Sequence, residues 1–162
     1  MKKLLLGLCV LAGTFYSSAQ ETKFGVRAGV DFAMVESSVT IPGAGTVTAK
    51  GTETGIFVGG FACLGLSESF AVQPEVLYVS IKDASFINVP VLAKYTLAEK
   101  ISVLAGPSFN YSIDAKDDKF KVNVDLGGGY DITENIDIAA RYSLGFGDTK
   151  MSGIFLGLGY SF

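Results

Sequence analysis

Charged side chains at alternate positions inside otherwise apolar segments are the residues with the clearest chemical potential. If these segments are strands that share one enclosed face, acidic and basic groups alternate from strand to strand, as buried ion pairs require. The pattern predicts either a mutually neutralised cluster or a narrow polar path for ions. The residues are Arg27, Asp31, Glu75, Lys94, Asp125 and Arg141.

Catalytic and metal-binding chemistry has little support in the residue types. The chain has no His, and Ser or Thr nucleophiles normally depend on a His base. The acidic run "DAKDD" at Asp114–Asp118 lacks the ligand order of a calcium loop and is interpreted as a solvated loop. "GAG" and "GGGY" precede no helix and are not phosphate-binding loops. We therefore predict no catalytic residue, no cofactor, no metal site and no enzymatic activity.

The first 19 residues have the three parts of a secretory signal peptide. Lys2 and Lys3 precede a short apolar run, and Ser17-Ser18-Ala19 supplies small residues before Gln20. The run is too short for a membrane-spanning helix. We predict cleavage after Ala19, which makes residues 1–19 a signal peptide and residues 20–162 one domain.

The mature chain is acidic and has a single thiol. Loss of Lys2 and Lys3 lowers Lys plus Arg from 13 to 11 against 16 Asp plus Glu, so the net charge moves from −3 to −5. This balance argues against nucleic acid as a partner, because phosphate binding needs a basic face. Cys63 has no second Cys to pair with. No further apolar run of helical length follows, so membrane insertion would have to use strands.

Eight segments alternate between apolar and polar residues and are separated by turn-like clusters. Most are long enough for a tilted membrane strand, which takes about 9–11 residues. Short connectors alternate with longer ones, the longest being residues 36–53. The pattern predicts an all-β fold, an eight-stranded antiparallel up-and-down transmembrane β-barrel with both termini at the short-turn end. The segments are Lys23–Met34, Thr54–Leu66, Phe70–Val79, Phe86–Leu97, Ile101–Ile113, Phe120–Tyr130, Ile136–Gly145 and Gly153–Phe162.

The tyrosines indicate which face of the strands meets lipid. All six that follow the leader share the face of the main apolar series, and each lies toward the exit end of its strand. This sorting predicts two aromatic girdles at the membrane surfaces, whereas a soluble barrel has no reason for it. The charged residues then face a polar lumen, since an outward Arg or Lys at mid-membrane costs about 2–4 kcal/mol. The girdle residues are Tyr78, Tyr95, Tyr111, Tyr130, Tyr142 and Tyr160.

The predicted interior favours a plug over a channel. Eight strands enclose a bore just wide enough for their own side chains, so interleaved ion pairs would close it. Pro74, Pro90 and Pro107 fall inside predicted strands of a barrel that has no free edge, and a β-bulge is predicted at each.

The sequence ends on alternating apolar and aromatic residues, Leu158, Tyr160 and Phe162. Together with "AVQPEVLY", "INVPVLAKY", "VLAGPS" and "ARYSLGFGD", the terminal "LGLGYSF" resembles the PorT-type, porin-family outer-membrane β-barrels of Bacteroidota-like, Gram-negative bacteria. The resemblance implies a place in the outer membrane of the cell envelope and insertion by the outer-membrane assembly machinery. It also implies that these three residues form the C-terminal signal for that machinery.

Several functions remain open at this level. The favoured one is a structural or interaction barrel whose outer loops, chiefly residues 36–53, contact an unidentified surface or periplasmic protein. The alternative is a narrow channel for ions or very small solutes. A lipid-modifying enzyme and, with the faces reversed, a secreted lipocalin-like ligand-binding barrel are more distant alternatives. Outer-membrane lipid and the assembly machinery are the other expected partners.

Overall fold

The computed structural model describes residues 22–41, 45–82, 84–114, 119–146 and 149–162 of the 162-residue chain. The predicted signal peptide lies outside the described residues, as does the acidic run after Asp114. Within the described ranges, no helix is long and apolar enough to cross a membrane.

Eight strands form one closed antiparallel barrel, which confirms the predicted fold class. Each strand pairs with its neighbours in sequence, and β8 returns to pair with β1. The alternation of apolar and polar residues fixes this register, because a shift by one residue would exchange the two faces of a strand. The strands are β1 Thr22–Ile41, β2 Gly45–Gly65, β3 Phe70–Ile81, β4 Ala84–Ala98, β5 Ile101–Ser112, β6 Phe120–Asp131, β7 Ile136–Gly145 and β8 Thr149–Ser161.

Short turns join the strands at the end of the barrel where β1 begins and β8 ends. In the turn after β2, the Ser67 Oγ accepts a hydrogen bond from the Phe70 amide at 3.1 Å. In the turn after β6, the Thr133 Oγ1 accepts from the Ile136 amide at 3.0 Å. These Ser and Thr side chains satisfy backbone donors that the sheet ladder leaves unpaired. We call this end of the barrel the short-turn end.

The prediction of a loop over residues 36–53 is wrong for most of that segment. β1 continues to Ile41 and β2 begins at Gly45, and the two remain paired up to Ile41↔Gly45. Thr, Val and Ile alternate on both arms ("SVTI", "TVTA"), and these residues favour strands because they suit a pleated backbone. Pairing also satisfies backbone groups that an open loop would leave to solvent.

The paired arms extend past their neighbours on both sides. The pairing of β1 with β8 stops at Ser37↔Thr149, and that of β2 with β3 stops at Gly55↔Ile81. The paired arms 38–41 and 45–54 therefore project beyond the neighbouring strands, and they are here called the projecting hairpin. Its β2 arm of ten residues, Gly45–Thr54, spans about 33 Å at about 3.3 Å per residue.

The prolines do not produce the predicted β-bulges. The strand register is the same on both sides of Pro74, Pro90 and Pro107, and a register shift occurs instead between Thr96 and Ala98. At each proline, the ladder to the preceding strand is interrupted, while the proline stays paired with the following strand. Proline lacks one N–H but keeps its carbonyl, so one ladder can lose a hydrogen bond without an inserted residue.

The outer surface carries the apolar series, as the alternation predicts. Ile56, Leu126 and Val26 are 66%, 59% and 52% exposed there. An exterior of this composition suits lipid, and it places the faces in the opposite sense to a soluble ligand-binding barrel.

The prediction of a polar lumen is wrong for part of the interior. An apolar layer of five buried side chains lies in the half of the bore nearer the projecting hairpin, and a second cluster of Leu92, Leu104 and Ala139 lies elsewhere in the lumen. Segments such as "GIFVGGF" and "VLYVSI" are apolar at successive positions, so alternation cannot reveal that their inward side chains are also apolar. The apolar layer consists of Phe57, Leu77, Val79, Phe86 and Phe155.

Glycines make room for the apolar layer. The ring end of Phe57 lies 2.7 Å from where a Cβ would stand on Gly29 or on Gly157. A side chain at either position would displace the ring. Phe57 then packs against Phe155 with ring centroids 5.5 Å apart, so these two rings occupy the bore beside the charged residues.

Candidate functional site: the charged centre of the barrel

Glu75 lies at the centre of the buried charges. Its Oε1 accepts a hydrogen bond from the Arg27 Nη1 at 2.5 Å, and its Oε2 accepts one from the Arg141 Nη1 at 2.8 Å. The Gln73 Nε2 donates to the same Oε1 at 2.7 Å. Glu75 and both arginines are at most 3% exposed. One carboxylate therefore holds two guanidiniums away from water, a geometry in which each charge depends on the others.

Two aspartates extend this cluster across the bore. The Arg27 Nη2 donates to the Asp137 Oδ2, and the Arg141 Nη1 lies 4.0 Å from the Asp125 Oδ2. The resulting group of Arg27, Glu75, Asp125, Asp137 and Arg141, here called the charged network, draws on β1, β3, β6 and β7. Its three carboxylates outnumber its two guanidiniums.

Aromatic rings support both guanidiniums. The Arg27 Cζ lies 4.8 Å from the centroid of the Phe61 ring, and the Arg141 Cζ lies 5.4 Å from that of Phe155. A cation over an aromatic face is attracted by the ring quadrupole, and the attraction grows as water is removed. Phe155 thus belongs to the apolar layer and also contacts the charged network.

The structure brings only some of the predicted cluster together. Lys94 lies near the short-turn end, where its Nζ is 3.6 Å from the Asp131 Oδ1. Asp31 makes no ion pair with any described residue and lies beside the apolar layer. Asp137, which is not among the six charged residues predicted from the sequence, does join the network. Strand alternation identifies the face of a residue, but long side chains decide which charges meet.

Neutral polar pairs line the interior beside these charges. The Asn88 Nδ2 donates to the Asn110 Oδ1 at 2.8 Å, and the Asn123 Nδ2 donates to the Ser143 Oγ at 3.0 Å. All four residues are buried. The alternation predicts that Asn88 and Asn123 face inward, but it does not predict their hydrogen-bond partners. Those partners lie on adjacent strands, so the pairing depends on the register between strands.

A Ser–carboxylate pair, which the sequence spacing does not indicate, lies in the wall of the lumen. The Ser108 Oγ donates to the Asp125 Oδ1 at 2.6 Å, and both residues are 0% exposed. A hydroxyl next to a base could in principle act as a nucleophile. Complete burial gives a substrate no access to this one, so the pair is a structural hydrogen bond. The described part of the chain also holds no group of three or more His, Cys, Asp or Glu side chains that could bind a metal.

A cavity opens at the short-turn end of the lumen. Its volume is about 740 Å³, and its lining includes Lys23, Cys63, Lys94, Asp131 and Asp137. Gln73 and Phe61 also line it, and both contact the charged network from the other side. The cavity is therefore a vestibule that ends at the charged network.

The predicted girdle tyrosines are all exposed on the outer surface: Tyr78, Tyr95, Tyr111, Tyr130, Tyr142 and Tyr160. The residues of the predicted C-terminal signal lie on the same surface, with Leu158 54% and Phe162 73% exposed. The rings of Tyr160 and Phe162 are 6.5 Å apart between centroids. The Phe162 amide donates to the Phe24 carbonyl at 3.0 Å, which attaches the chain end to β1.

Comparison with known proteins agrees with this geometry. The model of the family described as outer membrane protein β-barrel domain matches residues 5–162. No curated protein matches the sequence. A de novo designed transmembrane β-barrel aligns with 14% identity and a TM-score of 0.56 over 89% of this chain and 99% of that chain.

Two bacterial proteins have a similar fold. Ail, the attachment invasion locus protein of Yersinia pestis, aligns with 17% identity and a TM-score of 0.53, covering 88% of this chain and 100% of that one. Neisserial surface protein A aligns with 16% identity and a TM-score of 0.53 over the same shares, 88% and 100%. Identities this low show the fold alone.

Proposed function

Because the chain belongs to the outer membrane protein β-barrel domain family, we propose that it is a small integral barrel whose lumen is closed by its own side chains. In this proposal it acts as a structural and interaction protein through its outer hairpins and has no catalytic role. PorT-type membership, suggested by the short motifs, remains part of the proposal.

The proposal of a closed lumen is supported by two successive layers of side chains, the charged network and the apolar layer, that both cross the bore. The charged network is followed toward the projecting hairpin by the apolar layer, with Phe155 touching both. An ion that moved along the bore would have to separate Arg27 or Arg141 from Glu75 and then pass between Phe57 and Phe155. Each step removes favourable contacts without offering the ion a hydrated route.

Conductance across a planar bilayer tests this proposal. The wild type should carry no steady current above that of a bare bilayer. A variant with Phe57→Ala, Glu75→Ala and Phe155→Ala should conduct, because it removes material from both layers. Glu134→Ala, which changes an exposed carboxylate in the turn after β6, is the matched control and should behave as the wild type. A steady wild-type current would contradict the plug.

Such a current would support the second candidate, a narrow channel for ions or very small solutes. One observation favours it: some buried polar atoms of the described residues have no hydrogen-bond partner, among them the Arg27 Nε, the Asp125 Oδ2 and the Arg141 Nη2. Buried polar groups of this kind are usually satisfied by water. The vestibule would then supply the entrance from the short-turn end.

The projecting hairpin is the element proposed to contact a partner. Along Gly45–Thr54, β2 pairs with β1 on one side, and the pairing with β3 has already ended. The backbone groups on that side form a free sheet edge, onto which an extended segment of another protein can add as a strand. Gly51, Thr52, Glu53 and Thr54 are exposed there.

Amide hydrogen exchange tests the free edge even while the partner is unidentified. The amides of Gly45–Thr54 that do not pair with β1 should exchange more slowly in native cell envelopes than in vesicles of the purified protein. Equal exchange in both would exclude a strand-adding partner.

A control variant replaces residues 38–48 by Asn-Gly between the paired Ser37 and Ala49, which shortens the hairpin to a two-residue turn. It should keep the heat-dependent shift in gel mobility that is typical of closed barrels.

The remaining assignments are proposals on the same basis. The exposed tyrosines are proposed to lie at the two headgroup levels of the membrane. Tyr78, Tyr111 and Tyr142 would lie at the level on the outside of the cell. Leu158, Tyr160 and Phe162 are proposed to be recognised by the assembly machinery, which is supported by their exposure at the end of β8 and directly after it. Cleavage after Ala19 remains a prediction that N-terminal sequencing of the membrane-inserted protein checks.

A further inference from the structure

Asp31 is a buried carboxylate with an unmatched oxygen. It is 1% exposed, and its Oδ1 has no hydrogen-bond partner among the described residues. Its ladder partners are Gly55 on β2 and Phe155 on β8, which offer no polar side chain. Arg141 acts on it electrostatically, and the Nη2 of that arginine also lacks a hydrogen-bond partner, but the two side chains form no direct hydrogen bond. A buried carboxylate in this position requires a compensating group.

Asp31 lines a small cavity on the projecting-hairpin side of the network. The cavity volume is about 10 Å³, room for one water-sized particle. The other polar residues of its lining are Asn110, Asn123, Ser143 and Ser152, which come from β5, β6, β7 and β8. An unmatched carboxylate oxygen thus lines the same small cavity as amides and hydroxyls from four further strands.

The polar atoms that line the cavity determine which kind of ligand it can bind. The Asn123 Nδ2 already donates to the Ser143 Oγ and to the Met151 carbonyl, each at 3.0 Å, so the unused atom of that amide is its oxygen. The Ser152 Oγ accepts from the Gly145 amide at 3.2 Å. Oxygen ligands of this kind prefer hard cations. One carboxylate among neutral oxygens balances a single positive charge.

We propose that this cavity binds one monovalent cation, with Asp31 as the charged ligand and the Asn123 amide oxygen and the Ser143 and Ser152 hydroxyl oxygens as neutral ligands. Asp31 and the polar residues of the cavity belong neither to the projecting hairpin nor to the charged network, although Phe86 and Phe155 of the apolar layer also line the cavity.

A substitution at Gly153 offers a second way to perturb the same site. A Cβ at this position would lie 2.8 Å from the Asp31 Oδ1, and its next neighbour, a ring carbon of Phe155, would be 3.5 Å away. Gly153→Ala therefore moves the carboxylate and fills part of the cavity without changing any charge. Gly60→Ala is a matched control, because the nearest atom to its added Cβ is the Gly25 carbonyl oxygen at 3.6 Å.

The test compares unfolding temperatures of the purified full-length mature barrel in lipid vesicles, in sodium chloride and in choline chloride at equal ionic strength. Sodium is the probe, and choline is too large for the cavity. The wild type and Gly60→Ala should unfold several degrees higher in sodium chloride, because a ligand that binds the folded state alone stabilises it. Asp31→Asn and Gly153→Ala should lose this shift. Asp31→Asn should also be at least as stable as the wild type in choline chloride, since it removes an uncompensated charge.

Three results would overturn the proposal. Equal wild-type temperatures in the two salts would mean that water or a proton satisfies Asp31. A sodium shift retained in Asp31→Asn would place the ion elsewhere. Stabilisation by calcium chloride but not by sodium chloride would contradict a monovalent site.

Discussion

Replacing Glu75 by Gln should destabilise the barrel more than any other single charge-removing, shape-conserving exchange in the charged network. The substitution keeps the shape of the side chain and removes the negative charge that holds Arg27 and Arg141 together. It also places an amide N–H₂ group against at least one guanidinium N–H. The Gln73 Nε2, which donates to the Glu75 Oε1 at 2.7 Å, can keep its acceptor.

The size of the effect follows from the burial of all three charges. Removing one partner of a buried ion pair costs about 3–5 kcal/mol, because the other charge remains buried without compensation. Here two guanidiniums are affected, and both have Asp125 or Asp137 as a further anion, so we expect a value inside this range. A loss of about 4 kcal/mol with an m-value of about 2 kcal/mol/M lowers the urea midpoint by about 2 M.

The assay is urea unfolding of the refolded barrel in lipid vesicles, followed by the heat-dependent gel mobility shift and by near-UV circular dichroism of the tyrosines. Glu134→Gln is the control, because it neutralises an exposed carboxylate in the turn after β6 and should change stability by no more than about 0.5 kcal/mol. A loss below about 1 kcal/mol for Glu75→Gln would refute the reasoning. It would mean that water solvates the guanidiniums, and therefore that the lumen is hydrated and not closed.

Other substitutions test the two faces and the packing of the wall. Leu126→Arg on the lipid-facing surface should lower stability by about 2–4 kcal/mol, measured by urea unfolding against Leu126→Ala; no difference between the two would contradict the assigned face. Gly29→Ala should cost about 1–3 kcal/mol, because its Cβ would collide with the Leu156 carbonyl and the Phe57 ring, whereas Gly60→Ala serves as a tolerated control. Deletion of Phe162 should slow membrane insertion in cells while leaving refolding into vesicles unchanged, and pulse-chase labelling of the mobility-shifted form distinguishes the two; equal insertion rates would remove its role as an assembly signal.

The faces of the strands were predictable because alternation is a local property of the sequence. Val26 and Leu126 face outward and Arg27 and Asp125 inward, and a shift by one residue would bury one set and expose the other. The same logic correctly gave the number of strands and the closed antiparallel order.

Strand ends and the content of the lumen could not be predicted in the same way. Residues 38–54 combine Gly and Pro with alternating Val and Thr, so turn propensity and strand propensity conflict, and pairing between the arms decides the outcome. Phe57 and Phe155 lie in segments that are apolar on both faces, which hides the apolar layer. The contacts of Arg27 with Glu75 and Asp137 depend on how far these side chains extend across the bore, and a local sequence pattern cannot predict this.

The charged network joins residues that are far apart along the chain, and this has a consequence for how the barrel forms. Arg27 bonds to Glu75 and to Asp137 over sequence separations of 48 and 110 residues, and Arg141 bonds to Glu75 over 66. Apart from the 4.0 Å contact between Arg141 and Asp125 on the neighbouring strands β7 and β6, no single hairpin contains a pair of the network. A barrel assembled hairpin by hairpin would therefore carry Arg27 and Glu75 without these partners until β1, β3 and β7 surround one space. Folding intermediates that enter the hydrocarbon core before closure are therefore disfavoured. Closure and insertion should occur together, and the last strand pairing should be the step that makes the folded state persistent.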